Sequence, residues 1–290
     1  MSKLLTHLSE ERLKQFIEAV PWYHTINWPN GMQTRGAYDH YEVLETYQLP
    51  ESLAGKTVLD VGTADGFFAF EFEKRGAKSV DAVDILQYDG TLGFDPSPLH
   101  RKNYTEKYQA QGQTYTDFED VRELLDIPHI NNFLVNKDIL DSQAQLHDRS
   151  IFDLSQTPQQ YDFVFCGDLI THLKDPIRAV ENLSAVTREQ CMITIFDLIE
   201  VPQNRNQTAE TAVRRLAQTL KVDYLLADPE IQTEYVGTRQ SGIFFRFTID
   251  SFTELLKASG FQKVVASPIF PIKNLRTGNP LSHAVYHCYK

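Results

Sequence analysis

The sequence is poor in sulfur and in positive charge. Its three cysteines, Cys166, Cys191 and Cys288, stand far apart without a Cys-x-x-Cys spacing, which argues against a disulfide framework or a zinc site and fits a reducing, cytoplasmic setting. Twenty-eight Lys and Arg against 39 Asp and Glu leave a formal charge of -11. The dense basic face that grips a phosphate backbone is therefore missing, and a nucleic-acid partner is not expected. No stretch approaches the roughly 20 consecutive apolar residues of a membrane-crossing helix. Residues 1 to 20 read instead as an amphipathic helix, with Leu5, Leu8, Leu13, Phe16 and Ile17 interrupted by charges, unlike a secretory leader. Internal repeats, low-complexity tracts, flexible linkers and tightly spaced metal-ligand runs are all absent from the pattern, so no metal is expected.

What is present is apolar and aromatic: 42% hydrophobic residues, with 18 Phe and 13 Tyr, enough for one large core with additions. An aromatic, turn-rich stretch from Pro21 to Gly31 follows the first helix and predicts a cap or hairpin; a helical pattern resumes over 41 to 49. Strand and helix patterns then alternate. Strands are predicted at Thr57–Val61, Ser79–Val83, Asn132–Asn136, Tyr161–Cys166, Cys191–Phe196, Lys263–Ala266 and Ala284–Tyr289. Helices are predicted near Gly66–Arg75, Asp117–Leu125, Ile177–Val186 and Ile249–Ser259. This alternation predicts an α/β fold: a doubly wound, Rossmann-like, seven-stranded and mostly parallel sheet over 51–290, preceded by a cap over 1–50. Two excursions, about 87–115 and 200–246, the second with a helical run around Thr211–Leu225, are expected to be lids over the ligand-binding edge.

The sharpest local pattern is Asp60-Val61-Gly62-Thr63-Ala64-Asp65-Gly66, a small-residue loop between a strand and a helix. Gly62 and Gly66 there allow close backbone approach to a ligand at a helix N-terminus. The next strand ends at Asp84-Ile85, where a carboxylate is placed to accept hydrogen bonds from ribose hydroxyls.

These residues resemble the class I S-adenosylmethionine-dependent methyltransferase family, whose loop usually carries glycine where this chain has Ala64. The resemblance covers roughly residues 55 to 290 and implies S-adenosylmethionine as cofactor. On it, Asp60 and the Gly62 backbone hold the methionyl end and Asp84 the ribose, with Ala64, Gly66 and Ile85 also at the cofactor. Asp138 and Ile139, in Asn136-Lys137-Asp138-Ile139-Leu140, would read adenine after the third strand, and Gly167 would close the fourth. Within the family, Pro21-Trp22 and the run from Leu169 to Pro176 resemble a subgroup that contains the bacterial tRNA wobble-uridine carboxymethyltransferase. His24 and Thr171 replace the lysine and tyrosine with which that enzyme holds an extra carboxylate, so ordinary S-adenosylmethionine is expected and tRNA modification is the alternative.

Methyl transfer requires alignment, exclusion of water and, for some acceptors, removal of a proton. His172 and His24 are the candidate bases, since imidazole titrates near neutrality; packing or capping is the competing role of each. Asp168 is placed either to orient a hydroxyl or amine or to cap a helix. Trp22, Tyr23 and Trp28, with Thr171 and Arg239, are the candidate substrate contacts, for an O or N nucleophile on a small molecule, with aromatic compounds and natural products as the candidate classes.

Overall fold

A computed structural model describes residues 9–19, 22–85, 132–156, 158–200, 215–216, 219, 232–238 and 242–290. After α1 (Glu10–Ala19) and a 3-10 helix at His40–Tyr47, the chain runs through β1 (Thr57–Val61), α2 (Phe67–Lys74), β2 (Ser79–Asp84), α3 (Asn132–Leu140) and β3 (Gln145–Asp148). It continues through β4 (Tyr161–Gly167), α4 (Pro176–Val186), β5 (Thr187–Phe196), β6 (Thr233–Thr238), β7 (Ile243–Phe247) and α5 (Ile249–Ala258). The chain ends in β8 (Lys263–Ala266), β9 (Phe270–Lys273) and β10 (Pro280–Tyr289).

The main sheet has eight strands in the order β3-β2-β1-β4-β5-β10-β8, with β9 also pairing β10. The first five are parallel and β10 runs antiparallel to β5. β8 and β9 share one edge of β10, one beside Tyr286–Tyr289 and the other beside Pro280–His283. Both sheet faces are covered, so strands that look uniformly apolar still sort with period two. Val58, Phe163, Phe165 and Met192 join one core cluster with α2 and the cap. Leu59, Val164, Cys166 and Ile193 join the other with α4 and α5.

The doubly wound architecture agrees with the sequence reading; several particulars differ. Residues 132 to 136, predicted as the third strand, begin α3, and the third strand of the sheet is Gln145–Asp148. β9 was not anticipated, so among the described residues the sheet has eight strands where seven were expected. The second excursion contains a two-stranded antiparallel ribbon, β6 and β7. The first excursion and the helix expected at Asp117–Leu125 lie outside the described residues, and of the run around Thr211–Leu225 only 215, 216 and 219 are described.

The aromatic cap is a tight hairpin. Trp28 N–H donates to the Met32 carbonyl, Gly31 N–H to the Trp28 carbonyl, and Asn27 bridges Gln33. Gly31 supplies the left-handed turn residue at φ 78°. Trp22 is 0% exposed and Trp28 3%. Their indole N–H groups donate to the Ile17 carbonyl and to Asn136 Oδ1, as buried indoles require.

Candidate functional site

The strand order reverses between β1 and β4, the place where open α/β sheets bind ligands beyond their strand ends. The loop after β1 is built for close approach. Gly62, Ala64 and Gly66 all have left-handed φ, at 75°, 48° and 91°. A Cβ on Gly66 would stand 2.5 Å from Phe70 Cε2 and 2.7 Å from Phe133 Cδ2, so glycine is required there for packing as well as conformation. Ala64 is strained, and its N–H donates to Asp84 Oδ2 at 2.8 Å. Asp84 Oδ1 accepts from the Ile85 N–H at 2.8 Å. Each carboxylate oxygen thus takes one backbone donor and keeps acceptor capacity for another. Burial pushes the Asp84 carboxyl above its ordinary range, partly offset by those two N–H groups.

Two cavities flank this loop and share Gly62. The first is lined by Val61, Gly62, Val83, Asp84, Ile85, Arg149, Ile151, Leu169 and Leu173. The second is lined by Tyr23, His24, His40, Asp60, Gly62, Thr63, Phe68, Phe165, Gly167 and Asp168. Asp138 and Ile139 line neither. They sit on α3, before the third strand, so the residues that follow that strand and face the first cavity are Arg149 and Ile151. Trp22 and Trp28 also line neither cavity, because both are core residues. Of the cap aromatics only Tyr23, 41% exposed, reaches the second cavity. Thr171 is fully buried in the short 3-10 helix at Ile170–His172, with its hydroxyl unpartnered. Arg239 lies outside the described residues.

The second cavity combines carboxylates with neutral imidazoles. Asp60 is buried, accepts from Thr63 Oγ1 at 2.6 Å, and is pushed up to about 7 by burial. Asp65, in the loop, faces away from both cavities. Its Oδ2 accepts the backbone N–H groups of Tyr23 and His24 at 2.5 and 2.8 Å, its Oδ1 accepts from Asn132 Nδ2 at 3.0 Å, and so it ties the cap to the loop and to α3. Burial holds the His24 imidazole well below its usual range, and His40 beside it adds to this; the His24 Nδ1 has no partner. Burial also lowers His40, to about 4, and its Nδ1 meets the Tyr47 hydroxyl at 3.0 Å.

Asp168 does not cap a helix; Leu169 holds that position for the 3-10 helix. Left-handed at φ 51°, it is fixed by Thr194, whose hydroxyl accepts from the Asp168 N–H and donates to Oδ1 at 2.8 Å. His283 Nε2 stands 3.1 Å from Asp168 Oδ2, and its Nδ1 donates to the Leu281 carbonyl at 2.8 Å. With an acceptor at each ring nitrogen, His283 is an imidazolium. Burial works against the charge of both partners, but their mutual attraction wins: Asp168 is held below the usual carboxylate range and His283 above that of imidazole. The sequence reading missed His283; nothing in its local pattern separates it from a buried strand residue.

His172 lies in the 3-10 helix after β4, its ring 5.2 Å from that of Phe196 and its Nδ1 against the Gly242 carbonyl. Donation from Nδ1 to that carbonyl fixes the tautomer. Burial lowers this imidazole below its usual range, with the Gly242 carbonyl opposing. The contact ties the loop after β4 to the turn between β6 and β7, and Arg246 ties β7 to the end of β5 through Asp197, 3.1 Å from its Nε. Among the described residues no group of three or more His, Cys, Asp or Glu is arranged to hold a metal ion, and no helix is long and apolar enough to cross a membrane.

The sequence matches a family described as a methyltransferase domain over residues 37–266. No curated protein matches the chain. Among solved structures, magnesium protoporphyrin IX methyltransferase from Synechocystis PCC 6803 with bound S-adenosylhomocysteine is similar at 15% identity. That match covers 86% of this chain and 81% of that one, at a TM-score of 0.41. An arsenic (III) S-adenosylmethionine methyltransferase from Chlamydomonas reinhardtii is 15% identical over 83% of this chain and 65% of its own, at 0.42. The N-terminal domain of EvdMO1 with S-adenosylhomocysteine bound is 11% identical over 98% of each chain, at 0.49. None of these likenesses assigns an acceptor, and the finer likeness to the tRNA wobble-uridine subgroup gains no support from the family match.

Proposed function

The chain belongs to the methyltransferase-domain family of S-adenosylmethionine-dependent enzymes, and from that membership we propose that it methylates an O or N nucleophile on a small molecule at the two cavities that share Gly62. The observation that carries the reading is their meeting at Gly62, with Asp84 on one side and Asp60 on the other, where β1 and β4 diverge. The residues present fit the cofactor. Glycine and left-handed backbone open the loop, Asp84 retains acceptor capacity toward a ribose, and an unpartnered imidazole nitrogen lies in the wall of the second cavity.

In this assignment the first cavity takes the nucleoside, with Asp84 and Ile85 at the ribose. Arg149 and Ile151 occupy the adenine corner that the family resemblance gave to Asp138 and Ile139. The second takes the methionyl end against Asp60, Thr63, Gly167 and Asp168. When bound, S-adenosylmethionine supplies an electrophilic methyl group. The chain's own part is alignment and proton management. His24, kept neutral by burial and lining the second cavity, is the group placed to accept the proton of the nucleophile. His172, the other base expected from the sequence, lines neither cavity and ties the loop after β4 to Gly242 instead. Tyr23 forms the outer wall. Calorimetric titration with S-adenosylmethionine and S-adenosylhomocysteine tests the assignment: micromolar binding that Asp84→Ala weakens at least tenfold is expected, and absence of binding by the wild type overturns it.

A further inference from the structure

The second cavity has carboxylates at two distinct places, and they are held differently. Asp60 lies at the end of β1, fully buried, with the Thr63 hydroxyl on Oδ2. Asp168 lies at the end of β4, across the reversal point, with Thr194 on one oxygen and an imidazolium on the other. His283 is 2% exposed and does not line the cavity. The Asp168–His283 pair is therefore oriented, with its negative end on the cavity wall and its positive end behind. Among the described residues no Lys or Arg lines this cavity, and the two imidazoles that do, His24 and His40, are kept neutral by burial. A cationic centre entering here meets the negative end of that pair in a medium of low dielectric, with the positive end set behind it.

We propose that Asp168, positioned by His283, is the counter-charge for the sulfonium of the methyl donor, and thereby a specificity residue that favours the donor over its demethylated product. This rests on the assignment of the two cavities to the cofactor. The chemistry that distinguishes the two ligands is one charge. S-adenosylmethionine and S-adenosylhomocysteine share the adenosine, the ammonium and the carboxylate, and only the former carries a positive sulfur. A group that binds the shared ammonium weakens both when removed, whereas a group that faces the sulfonium weakens one. A fixed carboxylate in that place also favours release of product, since the charge it attracts disappears with the methyl group.

The test is direct binding by calorimetry of both ligands, together with sinefungin, which carries a protonatable amine where the donor has its sulfonium. The wild type is expected to bind the donor and sinefungin more tightly than S-adenosylhomocysteine. Asp168→Asn is expected to erase that preference, with a loss of about tenfold for the two cations and little change for the neutral thioether. Retained binding of S-adenosylhomocysteine shows that the site is still folded. Equal loss of all three ligands, with the fold intact by circular dichroism, overturns the proposal and places Asp168 at the ammonium; an unchanged ratio overturns it as well. If Asp168→Asn does not fold, His283→Gln carries the test. Without the imidazolium the buried Asp168 carboxyl protonates more readily, so the preference for the cations fades as the pH falls from 8 to 5.5, whereas in the wild type it persists; parallel pH profiles refute the positioning role. Failure of the wild type to bind any of the three is a different result, and rejects the cofactor assignment itself.

Discussion

Asp65 is the residue whose removal should most disturb the site without touching either cavity. Its carboxylate receives the N–H groups of Tyr23 and His24 and the amide of Asn132, and its own carbonyl receives the amide of Asn136, whose Oδ1 in turn holds the Trp28 indole. Asp65→Ala leaves three buried donors facing a methyl group. A buried donor left unsatisfied costs roughly 1–3 kcal/mol, whatever the charge of the acceptor it has lost. Burial takes part of that back, since it pushes the Asp65 carboxyl up to about 6 against the three bonds. A net loss of about 3–5 kcal/mol follows. Asp65→Asn keeps an oxygen for the two backbone donors. Its new NH2 can meet Asn132 if that amide turns, because Asn132 Oδ1 is buried without a partner; a loss of only about 1–2 kcal/mol is expected. The assay is urea unfolding followed by tryptophan emission, which here reports the cap alone, since both tryptophans of the chain, Trp22 and Trp28, are in it. The folded pKa lies above the unfolded one, so the stability Asp65 adds is full below about pH 4 and is lost as the pH rises through about 6. The Ala penalty should therefore be larger at pH 5 than at pH 8. An Asp65→Ala protein within 1 kcal/mol of the wild type at pH 5, with unshifted emission, would refute this account of the cap.

Three other outcomes are expected. Ala64→Gly removes a Cβ from a left-handed residue and should stabilise the protein by roughly 1 kcal/mol, read as a higher urea midpoint, while leaving the N–H of residue 64 on Asp84. Gly66→Ala should cost at least about 3 kcal/mol, because the added carbon strikes two packed rings and the backbone is left-handed at that position. Asp60→Asn isolates a pH effect. With the folded carboxyl raised to about 7, the wild type loses stability relative to the variant as the pH climbs from 4 through 7. The difference should swing by roughly 2–4 kcal/mol in thermal unfolding measured at the two ends.

The elements legible in the sequence were those in which local pattern and tertiary role agree. Thr57–Val61 is bounded by Lys56 and a glycine loop and buries four consecutive residues, and β8 matches its predicted span at Lys263–Ala266. Asn132–Asn136 misled because Phe133, Leu134 and Val135 look like a buried strand. In place, Asn132, Val135 and Asn136 are buried at the i, i+3, i+4 spacing of a helix face, with Phe133 beside them and Leu134 47% exposed. β3 was missed because its side chains, Gln145 to Asp148, are mostly exposed at the sheet edge and carry little apolar signal. The two tryptophans looked like pocket walls because an aromatic cluster and an aromatic core have the same composition; their indole partners, Ile17 and Asn136, come from separate elements.

The carboxylates of the site show why the motif was readable while its division of labour was not. Asp60, Asp65 and Asp84 all belong to the pattern that marks the loop and the strand after it, yet their neighbours give them different tasks. Asp65 is saturated by the cap and the α3 amide, so it is structural although it sits inside the motif. Asp84 fastens the loop through Ala64 and keeps capacity outward, and Asp60 has one hydroxyl and a cavity. Asp168 acquires its charge from His283, which is remote in sequence and reaches it only because β10 lies beside β5, where His283 pairs with Phe196, two residues beyond Thr194. A carboxylate's position along the chain was thus recoverable from spacing, whereas its protonation state depends on strand order and on which remote donors the sheet brings to it.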